Sequence, residues 1–276
     1  MSAAGRLVVC PTPIGNLEDV TLRVLAALRA ADLVACEDTR HTRKLLDRYG
    51  VTGKLVSYHE HNERERAGEL VAKMRKGSVV ALVSDAGMPL VSDPGFILVQ
   101  ACIAAGLSVE VLPGPSSALA ALVASGLPAE RWRFVGFLPR KKGDLEKLLV
   151  STAETLVAFE APQRLAATLA LLAASDPTRP VAVCRELTKL HEEIRRGSAG
   201  EIAAHYAAER PRGEVVLVVG AAPPGAGEPD IAERALTALQ ALVEAGARPR
   251  PAAKALAELT GVPANRLYRA LTEQQR

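Results

Sequence analysis

The sequence predicts an α/β protein in which short strands alternate with helices, followed by a small all-helical module. Apolar runs of four or five residues, rich in β-branched side chains, end abruptly in loops of glycine, proline and charged residues; the run at 79–83 is the clearest. Stretches with helical spacing, such as 96–105, separate these runs. This order is typical of buried parallel strands joined by helices, and ligands bind such sheets at the carboxyl ends of the strands.

Length and composition set the limits of this prediction. The chain has 276 residues, of which 49% are hydrophobic, which is enough for two domains. No apolar run approaches the ~20 residues of a membrane span, and the N-terminus shows no signal-peptide pattern, so we expect a cytoplasmic protein with no membrane partner. The net charge of +3 is too small to indicate a nucleic-acid partner by itself. Wide spacing without CxxC favours free core thiols over a zinc site or disulfides for Cys10, Cys36, Cys102 and Cys184.

The first strand is predicted at 6–10 and leads into a loop of proline and glycine that matches neither the dinucleotide-binding nor the phosphate-loop pattern. A helix is expected from Leu17 onward, with Leu22 on its buried face. The second strand, 33–36, is followed by a polar cluster that begins with Glu37 and Asp38. Such a cluster at the end of a strand favours a substrate site; the alternative is a helix N-terminus with a capping residue and solvated arginines.

The third predicted strand, 55–57, is followed by His59 and His61. Two histidines at this spacing could bind a metal, but no third ligand is suitably spaced nearby, so no metal is predicted. The strand at 79–83 ends in a loop with one carboxylate and one glycine, and the strand at 108–112 ends in a proline-glycine turn before the next helix. Both loops are therefore expected to face one crevice.

Four further strands are predicted at 131–138, 155–159, 181–184 and 214–219. The turn after the first of them carries three adjacent basic residues, which are either solvated or in contact with phosphate. Asp144 is expected to cap the helix that follows. Acidic and basic residues again follow the next two strands, so these strand ends are expected to contribute to the same crevice.

The C-terminal part of the chain is predicted to be helical. A proline- and glycine-rich linker is expected at 221–228, before helices at 231–245, 252–260 and 264–273. The last two helices resemble a helix-turn-helix with Gly261 at the turn, and a small bundle or dimerisation unit is an equal alternative. The predicted domains are 1–113, 114–222 and 230–276.

Eight motifs identify a family. They are PTPIGNL, EDTR, SYHEHNE, SDAGMPLVSDPG, LPGPSSA, FEAPQR, RELTK and RGE, in that order. In this respect the chain resembles the bacterial 16S ribosomal RNA (cytidine-2'-O)-methyltransferases of the tetrapyrrole methylase superfamily. The resemblance covers about 7–220 and extends to a similar helical tail. It implies two α/β domains with an S-adenosyl-L-methionine cleft between them, a homodimer, and a cytidine substrate in the decoding region of 16S rRNA within the small ribosomal subunit.

The same resemblance implies a set of cofactor-binding residues: Pro13, Gly15, Ser84, Asp85, Ala86, Gly87, Ser116, Ser117, Ala118 and Val219. The chain departs from the superfamily in having Ser-Asp-Ala where Gly-Asp-Pro is common. Phe159 and Gln163 stand where tyrosine and histidine are expected, so no essential role is assigned to them.

Methyl transfer to a ribose hydroxyl needs alignment of the reacting atoms and a base or cations near the hydroxyl. The acceptor side is predicted to contain Glu37, Asp38, Arg40, His59, Glu160, Arg164 and Lys189, with Glu37 or His59 as the base. RNA phosphates are expected to contact Arg40, Arg43, Arg140, Lys141 and Lys142. The alternatives are structural: an ion-pair network at Glu37, Asp38 and Arg40, a loop cap at Asp85, and a core histidine at His59.

Two other functions remain open from the sequence. The first is methylation of a corrin or porphyrin precursor, which predicts a cleft shaped for a macrocycle and no helical tail. The second is a non-catalytic ribosome-assembly protein that binds RNA and the cofactor without turnover.

Overall fold

The computed structural model describes residues 5–209, 211–222 and 231–273. They divide between two compact units, one within Met1–Pro139 and Thr155–Gly220 and the other within Arg140–Glu154 and Ala221–Arg276. Most of the predicted linker, 223–228, lies outside the described residues. The α/β class is confirmed, and both sheets belong to the first unit.

The first sheet is parallel throughout and has the order β3-β2-β4-β1-β5. Its strands are β1 (Arg6–Val9), β2 (Leu33–Cys36), β3 (Leu55–Ser57), β4 (Val79–Leu82) and β5 (Ser108–Val111). Each lies within one residue of its prediction. Apolar clusters cover both faces of this sheet, as parallel strands require.

Helices and one 3₁₀ turn connect these strands and follow the last. They are the 3₁₀ turn Leu17–Asp19, α1 (Leu22–Ala30), α2 (Thr39–Arg48), α3 (Glu63–Arg75), α4 (Phe96–Ala104) and α5 (Ser117–Ser125). The expected helix from Leu17 is wrong in its first turns, because the backbone is extended at Val20 and Thr21 then caps α1 by accepting from Val24 N–H. Leu22 is consequently 85% exposed and is not on the buried face.

The second sheet has the order β6-β7-β10-β8-β9, and only β6 and β7 are parallel neighbours. Its strands are β6 (Trp132–Phe137), β7 (Thr155–Glu160), β8 (Pro180–Arg185), β9 (Glu193–Ser198) and β10 (Val215–Val219). β9 was not predicted, because its sequence EIRRGS has no apolar run. The helices of this part are α7 (Pro162–Ser175) and α8 (Ala199–Ala208). A third cluster, which includes Ile14, Ala121 and Val218, packs beside this sheet.

The second unit contains α6 (Lys142–Ser151), α9 (Ile231–Glu244), α10 (Pro249–Thr260) and α11 (Ala264–Glu273). The predicted cap at Asp144 is wrong, because α6 begins two residues earlier and Asp144 lies in its first turn. The last three helices share a small core that includes Leu239, Ala253 and Leu267. Within the described ranges, no helix has the length and apolar character to cross a bilayer. All four cysteines are buried and free, as predicted.

Candidate active site

Two cavities lie beside the carboxyl ends of the first sheet, within the first unit. The larger cavity, of about 380 Å³, has walls from the loop after β4, the start of α5 and the edge of the second sheet where β7 ends and β10 begins. The smaller cavity, of about 290 Å³, has walls from the loops after β1 and β4, from α2 and from the segment that follows β8. Both sizes are in or near the range of small-molecule sites. The two cavities share Ile14, Ala86 and Glu214.

The loops after β1 and β4 are joined by backbone hydrogen bonds. Thr12 N–H donates to Gly87 O at 2.9 Å, Gly87 N–H donates to Thr12 O at 3.0 Å, and the Thr12 hydroxyl donates to Ser84 O at 3.0 Å. Gly87 has φ +76°, and a Cβ there would lie 3.3 Å from Ile14 Cγ2. The turn therefore requires a residue that tolerates left-handed backbone and has no side chain.

The loop after β1 also closely approaches the segment that follows β8. A Cβ on Gly15 would lie 2.5 Å from Lys189 Cγ, 2.6 Å from Thr188 Oγ1 and 2.8 Å from Leu187 O. Asn16 N–H donates to Thr188 Oγ1 at 3.0 Å. Thr188 itself has φ +65°, a strained backbone for a β-branched residue. Glycine at 15 is what permits the two loops to close the smaller cavity.

Three carboxylates from the first sheet's loops lie close together: Glu37, Asp85 and Asp93. Burial, and then the charge of Asp85, raises the pKa of Glu37. Burial raises the pKa of Asp93 to about 6, with the charges of Glu37 and Asp85 adding to the shift and a hydrogen bond from Ser84 opposing it. No cation of the described chain forms a salt bridge with any of the three. Asp93 lines the larger cavity and Asp85 the smaller.

The predicted residues that follow β2 have mainly local partners. Asp38 caps α2 by accepting from Arg40 N–H at 2.8 Å, and its carboxylate pairs with the Arg40 guanidinium at 2.8 Å. These Arg40 hydrogen bonds lower the pKa of Asp38 to about 2. The helix-cap interpretation therefore describes Asp38 correctly. Arg40 and Arg43 are exposed.

Glu37 and His59 lie near each other, since His59 partly offsets the raised pKa of Glu37. The Nδ1 atom of His59 is buried without a partner, and Nε2 lies 3.3 Å from Asn62 Nδ2. Glu37, His59, Asp38 and Arg40 are absent from the walls of both cavities. Among the described residues, no group of histidine, cysteine and carboxylate side chains is arranged to hold a metal ion.

Glu160 lines the larger cavity, but its oxygens are already engaged. Oε1 accepts from Ala161 N–H at 2.8 Å, Oε2 accepts from the Thr168 hydroxyl at 2.6 Å, and Arg164 lies 3.4 Å away. Arg164 also donates to Leu138 O and Pro139 O at 3.2 and 2.6 Å. This predicted acid-base pair joins the ends of β6 and β7.

A second linked group follows β8. Lys189 Nζ lies 3.0 Å from Glu186 Oε1 and 2.9 Å from Glu214 Oε2, and Glu214 N–H donates to Glu186 Oε1 at 2.9 Å. Burial disfavours the charged Lys189, but these hydrogen bonds outweigh it and raise its pKa. Lys189 lines the smaller cavity.

The predicted cofactor residues divide between the cavities. Gly87, Ser116, Ser117 and Ala118 line the larger one, Pro13, Gly15, Ser84 and Asp85 line the smaller, and Ala86 lines both. Val219 is fully buried at the opposite end of β10, and Val215 and Val216 line the larger cavity instead. The basic residues Arg140, Lys141 and Lys142 are exposed at the start of α6, in the second unit.

Sequence reasoning missed Thr42, Asp93 and Glu214. Thr42 lies three residues into α2 and was counted with a charged cluster. Asp93 lies in SDAGMPLVSDPG and Glu214 in RGE, so motif membership was the available signal for both. Neither directly follows a predicted strand, the position that the other candidates occupy.

The sequence model of the Tetrapyrrole (Corrin/Porphyrin) Methylases matches residues 6–203. A "Ribosomal RNA small subunit methyltransferase I" from Mesorhizobium japonicum is 49% identical over 97% of this chain and 91% of that protein. A uroporphyrin-III-C-methyltransferase structure from Thermus thermophilus is 26% identical, with a TM-score of 0.56 over 79% of this chain and 94% of that one. A structure of that enzyme complexed with S-adenyl homocysteine has 22% identity and a TM-score of 0.55, over 78% and 97%. The chain belongs to the tetrapyrrole (corrin/porphyrin) methylase family, among the relatives named ribosomal RNA small subunit methyltransferase I.

Proposed function

We propose that the chain is an S-adenosyl-L-methionine-dependent methyltransferase that methylates the 2'-oxygen of a cytidine in the decoding region of 16S ribosomal RNA. It acts in the cytoplasm on the small ribosomal subunit. One observation carries the proposal: two cavities, of about 380 and 290 Å³, adjoin at three shared residues. A methyl donor in one cavity and a nucleoside in the other would meet at that boundary. The rRNA methyltransferase names of the relatives supply the substrate class.

The residues of the larger cavity suit S-adenosyl-L-methionine. Phe137 and Phe159 offer flat apolar surface for an adenine ring, and their rings are 5.5 Å apart at the centroids. The start of α5 presents the positive end of a helix to a carboxylate. Asp93 provides a negative charge that has no cation beside it, which suits the positively charged amino and sulfonium groups. When bound, the cofactor supplies an activated methyl group.

The smaller cavity suits a polar ligand with an apolar ring. Leu17, Leu45 and Ile14 provide apolar wall. Thr42 is only 3% exposed, and its hydroxyl oxygen forms no hydrogen bond with a nitrogen or oxygen of the described chain, although the Cys36 thiol lies beside it. A thiol is a weak hydrogen-bond partner, so a ligand's polar group that bonds to this buried hydroxyl would gain up to about 1–3 kcal/mol. A nucleoside has both the ring and the polar groups.

Positioning is the main contribution of the chain's own residues. The paired loops after β1 and β4 fix the wall between the cavities, and the segment after β8 closes the smaller cavity against Gly15. Holding the reacting atoms in line near ~3 Å can supply about 7–11 kcal/mol. Exposed cations, of which Arg43 and Lys44 lie on α2 beside this cavity, are placed to contact RNA phosphates.

We further propose that the chain forms a homodimer and that α4 and α5 lie in the interface between the two protomers. Phe96 and Ile103 of α4 are 63% and 62% exposed, and Leu119 and Val123 of α5 are 51% and 79% exposed. Spacings of seven and four residues place each pair on one side of its helix. Exposed apolar side chains grouped in this way are typical of protein interfaces. Sedimentation should give a dimer for the native chain and a monomer for Val123→Asp.

The function is tested by incubating the protein with tritium-labelled S-adenosyl-L-methionine and one of three acceptors: small subunits lacking the modification, free 16S rRNA, or a porphyrin precursor. Nuclease digestion and nucleoside mass analysis then locate the label. Label on the 2'-oxygen of one cytidine supports the proposal. Label on the macrocycle, label on another nucleoside, or RNA binding without transfer contradicts it.

A pair of glycine variants provides a control for the site. Gly87 and Gly50 both have positive φ, +76° and +59°, but only Gly87 faces a cavity, and a Cβ on Gly50 would meet nothing within 4 Å. Both Gly→Ala changes impose a similar backbone cost of about 1–2 kcal/mol. Gly87→Ala should lose cofactor affinity and methyl transfer, whereas Gly50→Ala should lose only stability.

A further inference from the structure

Glu214 occupies a distinctive place between the two cavities. Of the three residues that line both, Ile14 and Ala86 are apolar, so Glu214 is the one ionisable side chain at the boundary among the described residues. It directly precedes β10, and its backbone N–H is fixed by Glu186 at 2.9 Å. The position of the residue is therefore set by the end of the second sheet.

The carboxylate of Glu214 is held at one oxygen and open at the other. Oε2 lies 2.9 Å from Lys189 Nζ, and in the part of the chain that the structure describes no hydrogen bond reaches Oε1. The side chain is 75% exposed, so a proton received at Oε1 can pass to solvent. The contact with Lys189 therefore fixes the position of the carboxylate and leaves Oε1 free to accept a proton.

The other carboxylates and the nearby histidine are less well placed. Glu37 and His59 line neither cavity, and both oxygens of Glu160 are engaged by the protein. Asp85 lines only the smaller cavity, and Asp93 only the larger. Among the described residues, Glu214 is therefore the carboxylate that lines both cavities at their boundary.

We propose that Glu214 is the general base of methyl transfer and that Lys189 is its positioning residue; this inference rests on the proposed function. Glu214 Oε1 accepts the proton of the ribose 2'-hydroxyl while an oxygen lone pair forms the bond to the methyl carbon. The carbon–sulfur bond breaks, and its electron pair remains on sulfur, so the sulfonium becomes a neutral thioether. Glu214 then releases the proton to water. A positioned base of this kind contributes about 10²- to 10⁴-fold to the rate.

The test is single-turnover methylation at saturating RNA and cofactor, over a range of pH. Glu214→Gln should lower the rate constant about 100-fold or more and remove the acid limb of the pH profile, because an amide cannot accept the proton. Glu214→Asp should recover part of the rate. Lys189→Met should lower the rate constant less than Glu214→Gln does and leave the KM for RNA unchanged, because the carboxylate loses the ammonium that fixes its position. Calorimetry with S-adenosylhomocysteine should give the native affinity for Glu214→Gln.

Glu69→Gln is the matched control, because Glu69 is an exposed glutamate paired with Arg66 at 2.7 Å on α3, outside both cavities. It should keep the native rate and pH profile. A Glu214→Gln rate within about threefold of native, or a change confined to the KM for RNA, would overturn the inference. A large loss in Glu37→Gln or His59→Ala with Glu214→Gln active would place the base at the first sheet instead. Failure of the native protein to methylate any RNA contradicts the proposed function itself.

Discussion

The carboxylates beside the two sheets differ in what surrounds them. Those of the first sheet's loops, Glu37 and Asp93, have raised pKa values and no salt-bridge partner in the described chain. Those beside the second sheet are paired. A hydrogen bond from Glu214 N–H is the main cause that lowers the pKa of Glu186, and for Glu193 the hydrogen bonds from Arg185 and Arg195 outweigh burial and lower it too.

This difference distinguishes carboxylates that stabilise the fold from carboxylates whose charge a bound ligand would balance. A paired carboxylate is stabilised by the protein itself, so its removal should be felt in stability. An unpaired, partly buried carboxylate costs free energy until a cation is bound, so its removal should be felt in binding. Glu186 and Glu193 would then stabilise the second sheet around the site, whereas Asp93 of the first sheet's loops would bind the cofactor.

The strongest test of this division is at Gly15, where the two sides meet. Gly15→Ala would place a Cβ within 3 Å of Leu187 O, so the segment that follows β8 must move. Displacement of about 1 Å can cost about 100-fold in rate, which is the loss we expect in single-turnover methylation. Gly68→Ala, on α3 with nothing within 4 Å, should keep full activity. Equal activity of the two variants would show that methyl transfer does not require the close approach of Gly15 to the segment that follows β8.

The second test concerns Asp93 and pH. Because its pKa rises to about 6 in the folded chain, Asp93 holds a proton between about pH 4 and 6 that the unfolded chain has lost. The free energy of unfolding therefore falls as the pH rises through this window, and Asp93→Asn should remove that fall. Urea unfolding at several pH values measures this pH dependence of the free energy of unfolding.

Cofactor binding should show the opposite trend, since the ionised Asp93 attracts a cation. Native affinity for S-adenosyl-L-methionine should rise about tenfold from pH 5 to pH 7.5, and the affinity of Asp93→Asn should change little. Calorimetry at both pH values measures these affinities for the native protein and for Asp93→Asn. The same pH dependence in both proteins would mean that Asp93 does not contact the cofactor's positive groups.

The third test concerns Glu193, one of the paired carboxylates beside the second sheet. Glu193 lies 2.6 Å from Arg185 and 3.1 Å from Arg195, so Glu193→Gln should lower the free energy of unfolding by about 1–3 kcal/mol. Because its pKa is lowered in the fold, the stabilisation is present at neutral pH and is lost as the pH falls through the carboxylate range. The maximal rate should stay within about twofold of native. A larger change in rate would assign Glu193 to the active site.

The smallest effect is expected at the basic turn before α6. Lys141→Ala should weaken RNA binding by a few-fold. It should also reduce the magnitude of the slope of log K against the logarithm of the salt concentration by about 0.7. The side chain is exposed, so stability should not change. Lys76→Ala, an exposed lysine outside the predicted RNA contacts, is the control. Filter binding at several salt concentrations would reveal an unchanged slope if Lys141 is merely solvated.

The first sheet could be predicted almost completely, because a strand buried on both faces must be a short apolar run. In the second sheet, four of the five strands could be predicted, but β9 could not. β9 is an edge strand with half-exposed faces, so its residues carry no apolar signal. The antiparallel position of β10 between β7 and β8 depends on contacts across thirty or more residues of sequence, which local pattern does not encode.

For the site, sequence indicated the loops but not the partners of the side chains. Glu160 and Arg164 follow a strand, as a catalytic pair would, yet they hydrogen-bond to Thr168 and to the end of β6. Only the three-dimensional structure reveals whether a polar side chain already has hydrogen-bond partners within the protein. Glu214, by contrast, became a candidate because two cavities share it.

The order of the second sheet also bears on how the chain emerges from the ribosome. All strands of the first sheet have been synthesised by Val111, so that sheet can form early. β7 and β8 have no direct pairing, because β10 lies between them, and β10 ends at Val219. At ~5–20 residues per second, the nascent chain would hold β8 for seconds with an unpaired edge. Chaperone protection during translation should therefore matter most over this interval.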